Sequence, residues 1–312
     1  MIEPPDAIVL RPLERDLVAD ASENARRPQS ANTKRAYDSA WAAFEFWGLA
    51  YGLSVFPADE STLCVYLTHL GRTKAYASVC LAYAAIRVRH EDAGLSLGTL
   101  KKVQFTLRNL GVQKGVAPKQ KRALEYGQLC EVVDRLPPTA RSRRDRAILL
   151  FGELFAGRRS EIAALRVEDL TFEPDGVLVD LRRSKTDQLG EGRVVAIHRR
   201  ASHCPVEAVR SWLDFACLTS GPVFRTVSAV GRIGETAITG QTIANVIKRA
   251  AAMLGLDPSE YAGHSIRRGF VTTATRRGAD LDKIMKTTGH GSVKTVRRYI
   301  DDADPFARAV KV

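Results

Sequence analysis

From residue 30 to residue 90 the apolar positions recur every three or four residues, the interval of one helix face, and not every second residue as on a half-buried strand. In "NTKRAYDSAWAAFEFWGLAYG", Tyr37, Trp41, Phe44 and Trp47 fall on one stripe, and Gly52 supplies a stop. "TLCVYLTHL" reads as the next helix, capped by Asp59 or Ser61, and Tyr76–Arg89 as another. The periodicity then fails over "GVQKGVAPKQKRAL", residues 111–124, whose glycines, proline and basic residues predict a linker. Beyond it the signals mix. "RSRRDRAILLFGELF" has a helical apolar face through Ile148, Leu149, Phe151 and Phe155, whereas residues 177–181 and 193–197 are β-rich runs flanking a polar turn that contains glycine. Helical patterns resume at "PVEAVRSWLDFA", "QTIANVIKRAAAML", "HSIRRGFVTTATRRG" and "ADLDKIMKTTG".

The pattern therefore predicts a mostly α protein of two domains. Residues 1–11 form a tail, 12–113 a helical domain, 114–123 a basic linker, and 124–312 an α-rich domain with a small antiparallel sheet, ending in a tail at 302–312. A chain of 312 residues is long enough for two such cores. No stretch approaches the roughly 18 apolar residues of a membrane span, and "MIEPPDAIVLRPLERD" places acids ahead of its short apolar run, unlike a signal peptide. The cysteines (Cys64, Cys80, Cys130, Cys204, Cys217) have no paired spacing, so a reducing cytoplasm is expected rather than a disulfide framework or a zinc site.

Charge narrows the class of partner. A net charge of +12 suits a polyanion, and phosphate backbones bind such surfaces through counterion release. No amphipathic helix with a large apolar face accompanies it, so nucleic acid is expected and a membrane is not.

Four short stretches then carry candidate chemistry. "GHSIRRGF" sets His264 and Arg267 three apart, on one face of a helix. Arginine's planar fork matches phosphate oxygens, and imidazole exchanges a proton near neutral pH, although such a pair alone equally fits a solvated helix face. In "FAGRRSEIAAL" a glycine turn precedes Arg158, Ser160 is the expected N-cap, and Glu161 is placed to hold the Arg158 guanidinium. Lys185 in "RRSKTDQ" sits on the hairpin turn, where an ammonium can reach a groove or deliver a proton, or simply face solvent. In "TTGHGSVKTVRRYIDD", His290 and Tyr299 are nine apart, or about 900° of helix, so one unbroken helix would turn them to opposite sides. Gly289 and Gly291, followed by Ser292 as a new cap, predict the break that lets both serve one site. Arg158, Lys185, His264, Arg267, His290 and Tyr299 thus gather cations and proton carriers around one nucleophile, with no carboxylate cluster for a metal. That set predicts phosphoryl transfer by tyrosine without a metal or other cofactor.

These stretches, in this order, resemble the tyrosine recombinases of the phage-integrase family. "LFAGRRSEIAAL" is similar to the family's first box, "HSIRRGF" to its HxxR box and "TGHGSVKTVRRYID" to its segment from GH to the tyrosine; "SANTKRAY" resembles the start of its core-binding domain. Two departures stand out: Arg268 and Gly269 after the HxxR, and Arg159 in the first box. The resemblance implies a SAM-like core-binding domain at 12–113 and a DNA breaking-rejoining catalytic domain, of the simple Cre- or Xer-like type. It implies double-stranded DNA with inverted half-sites as partner, a homo-tetramer on two sites, and a 3′-phosphotyrosine formed by Tyr299. Arg158 and Arg267 would hold the phosphate, Lys185 would protonate the 5′-oxygen, His264 would assist proton transfer, and His290 would hydrogen-bond the phosphate. Ser30, Thr33, Lys34, Arg35, Lys119, Lys121, Arg122, Arg159 and Arg268 are expected DNA contacts, and the C-terminal tail is expected to dock on a neighbouring protomer. A type IB topoisomerase and a non-catalytic DNA-binding protein on the same fold are the alternatives.

Overall fold

Residues 30–115, 120–181, 192–293 and 296–297 are described by the computed structural model, in two units, Met1–Lys119 and Gln120–Val312. In the first unit, helix α1 (Ala31–Tyr51) opens where Ser30 Oγ accepts the Thr33 N–H at 3.2 Å and closes at Gly52. Helices α2 (Glu60–Thr73), α3 (Tyr76–Asp92) and α4 (Lys101–Lys114) follow. The cap of α2 is Asp59 and not Ser61, since the Asp59 carboxylate accepts the Thr62 N–H at 2.6 Å. Trp41, Phe44 and Trp47 bury their rings as their spacing predicts, against Leu63, Tyr66, Leu67, Val79, Ile86 and Val103. Each such burial is worth about 1.5–3 kcal/mol. Helix α4 runs on through residues 111–114, where the sequence suggested the linker had begun, because Leu110 and Gly111 are still buried against the bundle.

The second unit starts earlier than expected. Residues 120–123 belong to it rather than hanging between units: the Arg122 N–H donates to Glu260 O at 2.9 Å and the Leu124 N–H to Ser265 O at 3.0 Å. Leu124 is wholly buried. A Cβ on Gly269 would stand 2.0 Å from the Leu124 carbonyl oxygen, so this departure from the family pattern makes room for the docked segment.

Helices α5 (Tyr126–Asp134), α6 (Ala140–Phe155), α7 (Arg159–Ala164), α8 (Pro205–Phe215), α9 (Gly240–Met253), α10 (Ser265–Arg276) and α11 (Leu281–Thr288) make up most of this unit. An antiparallel sheet joins β1 (Leu170–Glu173), β2 (Gly176–Leu181) and β3 (Arg193–His198), and a second hairpin pairs β4 (Arg225–Val227) with β5 (Ile233–Ala237). The β2–β3 register puts Val177 opposite Ile197 and Leu181 opposite Arg193, within the two predicted runs. Side chains alternate as a pleated strand requires: Val177, Val179, Leu181, Val195 and Ile197 face the core that α6 supplies with Ile148, Leu149, Phe151 and Phe155. A small separate cluster of Val271, Ile284 and Val296 ties α10, α11 and the segment after His290 together. No described helix is long and apolar enough to cross a membrane.

Candidate active site

Four stretches of chain far apart in sequence meet at one place. The end of α6 brings Ala156, which adopts the left-handed conformation at φ 47°, uncommon for a residue with a Cβ. Its carbonyl accepts Arg267 Nη1 at 3.0 Å, across 111 residues of chain. Arg267 itself is 3% exposed, one turn into α10. Arg158 stands at the N-cap of α7, and the cap is made by Glu161 rather than by Ser160, which lies inside the helix. Glu161 Oε2 accepts the Arg158 backbone N–H at 2.8 Å, and Oε1 accepts the Arg158 guanidinium at 2.6 Å. One carboxylate thus caps a helix and aims an arginine.

The turn after α11 completes the pocket. Gly289 ends that helix in the left-handed region, φ 64°, so the chain breaks where the sequence predicted it would. Its carbonyl accepts Arg158 Nη2 at 3.4 Å. The next residue, His290, lies 2.8 Å from Arg267 Nη2 through Nε2 and 2.7 Å from Thr288 Oγ1 through Nδ1. The Thr288 hydroxyl gives its one proton to the Ile284 carbonyl at 2.7 Å, so it accepts from His290. Nδ1 therefore carries the ring proton, and Nε2 presents a lone pair to Arg267. The expected role for His290, donating to a phosphate, needs a proton on Nε2; in this arrangement the ring instead braces the arginine.

The electrostatics agree with a neutral ring. Burial first, then the charges of Arg267, Arg158, Arg193 and His264, pull the His290 pKa from an ordinary 6.5 down to about 3. A base whose pKa is depressed on folding contributes stability above its unfolded pKa and loses it as pH falls, because the unfolded chain takes up a proton that the folded chain refuses. Between about pH 6.5 and pH 3, acidification should therefore destabilise the wild type more steeply than His290→Gln. Denaturant midpoints measured at intervals from pH 7 to pH 4 check this; parallel curves would mean that the folded imidazole takes up its proton over the same pH range as the unfolded one.

Arg193 was not foreseen. It opens β3, with its side chain 19% exposed, and Nη1 donates to the carbonyls of Lys286 at 3.0 Å and Thr287 at 2.6 Å. Its Nη2 faces Glu161 Oε2 at 3.6 Å. Strand alternation was the available signal, since Arg193 shares a face with the inward-pointing Val195 and Ile197. Thr288, two residues before His290, carries no motif of its own, yet its hydroxyl fixes the imidazole. Among the described residues the pocket gathers three guanidiniums, one carboxylate and an uncharged imidazole. Such a pocket attracts an anion. Among the described residues no three His, Cys, Asp or Glu side chains come together as metal ligands would.

His264 is the exposed N-cap of α10, one turn before Arg267. Arg159 is exposed, its stem lying against Gly240 and Gly263. Arg268 pairs with Gln120, Arg122 with Glu260 at 3.1 Å, and Lys121 Nζ donates to Ser259 O at 2.6 Å, so these cations are engaged within the unit. At the start of α1, Ser30 and Thr33 are joined in the helix cap, Lys34 pairs with Asp38 at 3.2 Å, and Arg35 bonds Asn32. Lys119, Lys185, Tyr299 and the tail at 302–312 lie outside the described residues.

Comparison with known proteins gives this geometry a family. The phage integrase family matches residues 122–305. Over 296 residues the chain is 32% identical to an integrase/recombinase xerD homolog of Selenomonas ruminantium, covering 92% of this chain and 86% of the relative. It is 24% identical over 280 residues to the tyrosine recombinase XerD of Lacticaseibacillus casei, covering 88% and 89%. Among solved structures, the XerH site-specific recombinase in a post-cleavage complex with palindromic difH substrate matches with a TM-score of 0.61 at 19% identity, covering 81% of this chain and 72% of that one. A lambda integrase dimer bound to a COC′ core site matches with a TM-score of 0.58 at 14% identity, covering 96% and 98%. At those identities the likeness is one of fold. With the family spanning the whole second unit's pocket and a relative aligned along nearly the full chain, the chain belongs to the phage integrase family, the tyrosine recombinases.

Proposed function

We propose that this recombinase exchanges DNA strands at a specific site by way of a covalent link between Tyr299 and a 3′-phosphate. The observation that carries the reading is the anchoring of Arg158 and Arg267 on adjacent residues, Gly289 and His290, which sets two guanidiniums side by side. Two fixed guanidinium forks suit the non-bridging oxygens of one phosphodiester. Their charge takes the part that Mg²⁺ plays in kinases.

In this mechanism the Tyr299 hydroxyl oxygen attacks phosphorus in line with the 5′-oxygen. The new O–P bond forms as the P–O5′ bond breaks. His264 assists removal of the phenolic proton, and Lys185 supplies a proton to the departing 5′-oxygen. The sequence supports the parts given to Lys185 and Tyr299: Lys185 follows by four residues Leu181, which pairs with Arg193 at the pocket, and Tyr299 follows by three residues the buried Val296. The phosphotyrosine ester conserves the energy of the broken bond, so a 5′-hydroxyl from a partner duplex reverses the step without ATP. The proposed working complex has four protomers on two duplexes, each duplex carrying inverted half-sites. The basic chain acts on DNA within the cytoplasm, with residues 12–113 as a core-binding domain, and Lys34, Arg35, Lys119 and Arg159 as further DNA contacts. Xer and lambda-type relatives in complex with their sites support a DNA substrate.

The test is a covalent trap on fragmented DNA from the gene's own neighbourhood, with denaturant added to freeze adducts. Wild type should leave a protease-sensitive adduct on 3′ ends, Tyr299→Phe should leave none, and sequencing the trapped fragments yields the site. Tight binding without any wild-type adduct would point to a non-catalytic DNA-binding protein. Relaxation of plasmids that lack the trapped site would point to a topoisomerase.

A further inference from the structure

Arg193 has more bonds to the pocket than its absence from the six chemistry-bearing residues suggests. Its Nη1 spans the carbonyls of Lys286 and Thr287 at the end of α11. Nη2 lies opposite Glu161, the carboxylate that aims Arg158. Its guanidinium also packs on Gly289: a Cβ there would stand 2.7 Å from Arg193 Cζ and 2.8 Å from Nη1. One side chain therefore braces the Gly289–His290 turn from β3 while Arg158 holds it from α7 and Arg267 from α10.

The manner of its burial is informative. Nε and Nη2 of Arg193 are buried without an acceptor at hydrogen-bond distance among the described residues. Burial lowers its pKa, with the neighbouring Arg158 acting in the same direction and Glu161 opposing. A side chain needed only to fill space between β3 and α11 would be cheaper without a charge, because buried guanidinium protons left unpaired are costly. The cost is understandable if the charge and the rigid fork are needed in place.

We propose that Arg193 is a positioning residue for strand cleavage, a strut that fixes the turn bearing His290 against Arg158 and Arg267. This deepens the recombinase reading and rests on it for the identity of the reaction. Arg193 does not touch the DNA; it acts through the turn and through Glu161. Among the described residues, the groups facing His290 are Arg267 and His264 from α10, Arg158 from α7 and Arg193 from β3, with Thr288 on its own turn. Removing Arg193 removes one repelling charge and one restraint together.

Two measurements on the full-length protein decide the matter. In the first, the histidine rings are labelled with nitrogen-15 and followed from pH 8 to pH 5. Wild-type His290 should hold the single Nδ1-protonated form throughout, whereas in Arg193→Met it should lose that form and begin to take up a proton. In the second, adduct formation is timed on the trapped DNA site. Arg193→Met should cleave about 100-fold more slowly, the scale of loss expected when reacting groups are displaced by an ångström. Its DNA affinity should stay within about threefold of wild type. Arg193→Lys keeps the charge but cannot span two carbonyls and a carboxylate from a fixed fork; it should preserve the His290 signal better than Met and still cleave slowly. It also carries both tests if Arg193→Met does not fold. An unchanged His290 signal in the Met variant, a cleavage rate within threefold of wild type, or affinity falling in step with cleavage would each overturn the proposal. If wild type forms no adduct on any DNA, the recombinase mechanism fails, and the ring signal alone then judges Arg193.

Discussion

Arg267→Lys should slow covalent cleavage by about a thousandfold, the lower end of the range for losing an arginine that neutralises a transferring phosphoryl group. The same change should leave DNA affinity within a few-fold of wild type, because most affinity comes from phosphates along the whole duplex. Arg267 spends one guanidinium nitrogen on the Ala156 carbonyl and another on His290, and its rigid plane fixes the direction of what remains. A lysine ammonium is a single point of charge on a flexible stem, and it cannot meet both partners and a phosphate oxygen together. His290 would also lose the donor at Nε2, so the substitution loosens the turn as well as the charge. Single-turnover adduct formation on the trapped site measures the effect, and a loss smaller than tenfold would remove Arg267 from the phosphate-binding role.

The second large effect is on stability. Glu161→Ala should cost about 3 kcal/mol, as removing one member of a buried ion pair does. It leaves Arg158, 15% exposed, and Arg193, 19% exposed, facing each other without their shared carboxylate, and it strips the α7 N-terminus of its cap. Glu161→Gln should fall between, since its amide oxygen still accepts the Arg158 N–H but carries no charge. Calorimetric unfolding of the full chain compares the three proteins. If Ala and wild type unfold at the same temperature, the carboxylate is not what holds these arginines.

Local chemistry was legible in the sequence, and long-range pairing was not. The α1 stripe, the β2–β3 hairpin and the break at Gly289 each follow from residues within a few positions of one another, so periodicity and turn residues suffice to read them. Strand β1 is four residues long and half-buried, and it exists because Leu170 finds Val179 across the sheet. Residues 120–123 look like linker because the groups that hold them, Glu260 and Ser265, lie about 140 positions away. The same contrast runs through the site. Arg158 with Glu161, and His264 with Arg267, are spaced by three and show themselves. Arg193 and Ala156 become part of the pocket only when β3 meets the end of α11 and α6 meets α10. The Ser160 cap failed for a related reason: Glu161, one residue on, serves both the cap and the guanidinium, so the helix starts two residues earlier.

Gly289 contributes no functional group, yet three demands meet on it. Its backbone must turn left-handed, its carbonyl must face Arg158, and its α-carbon must stay bare beneath Arg193. The first demand is local, but the third is imposed by a residue 96 positions away. Positions 193 and 289 are therefore coupled through space. With arginine at 193, a Cβ at 289 would displace the guanidinium; without it the steric demand lapses while the conformational one persists. A glycine that reads as a simple helix stop is thus also the floor on which a distant arginine rests.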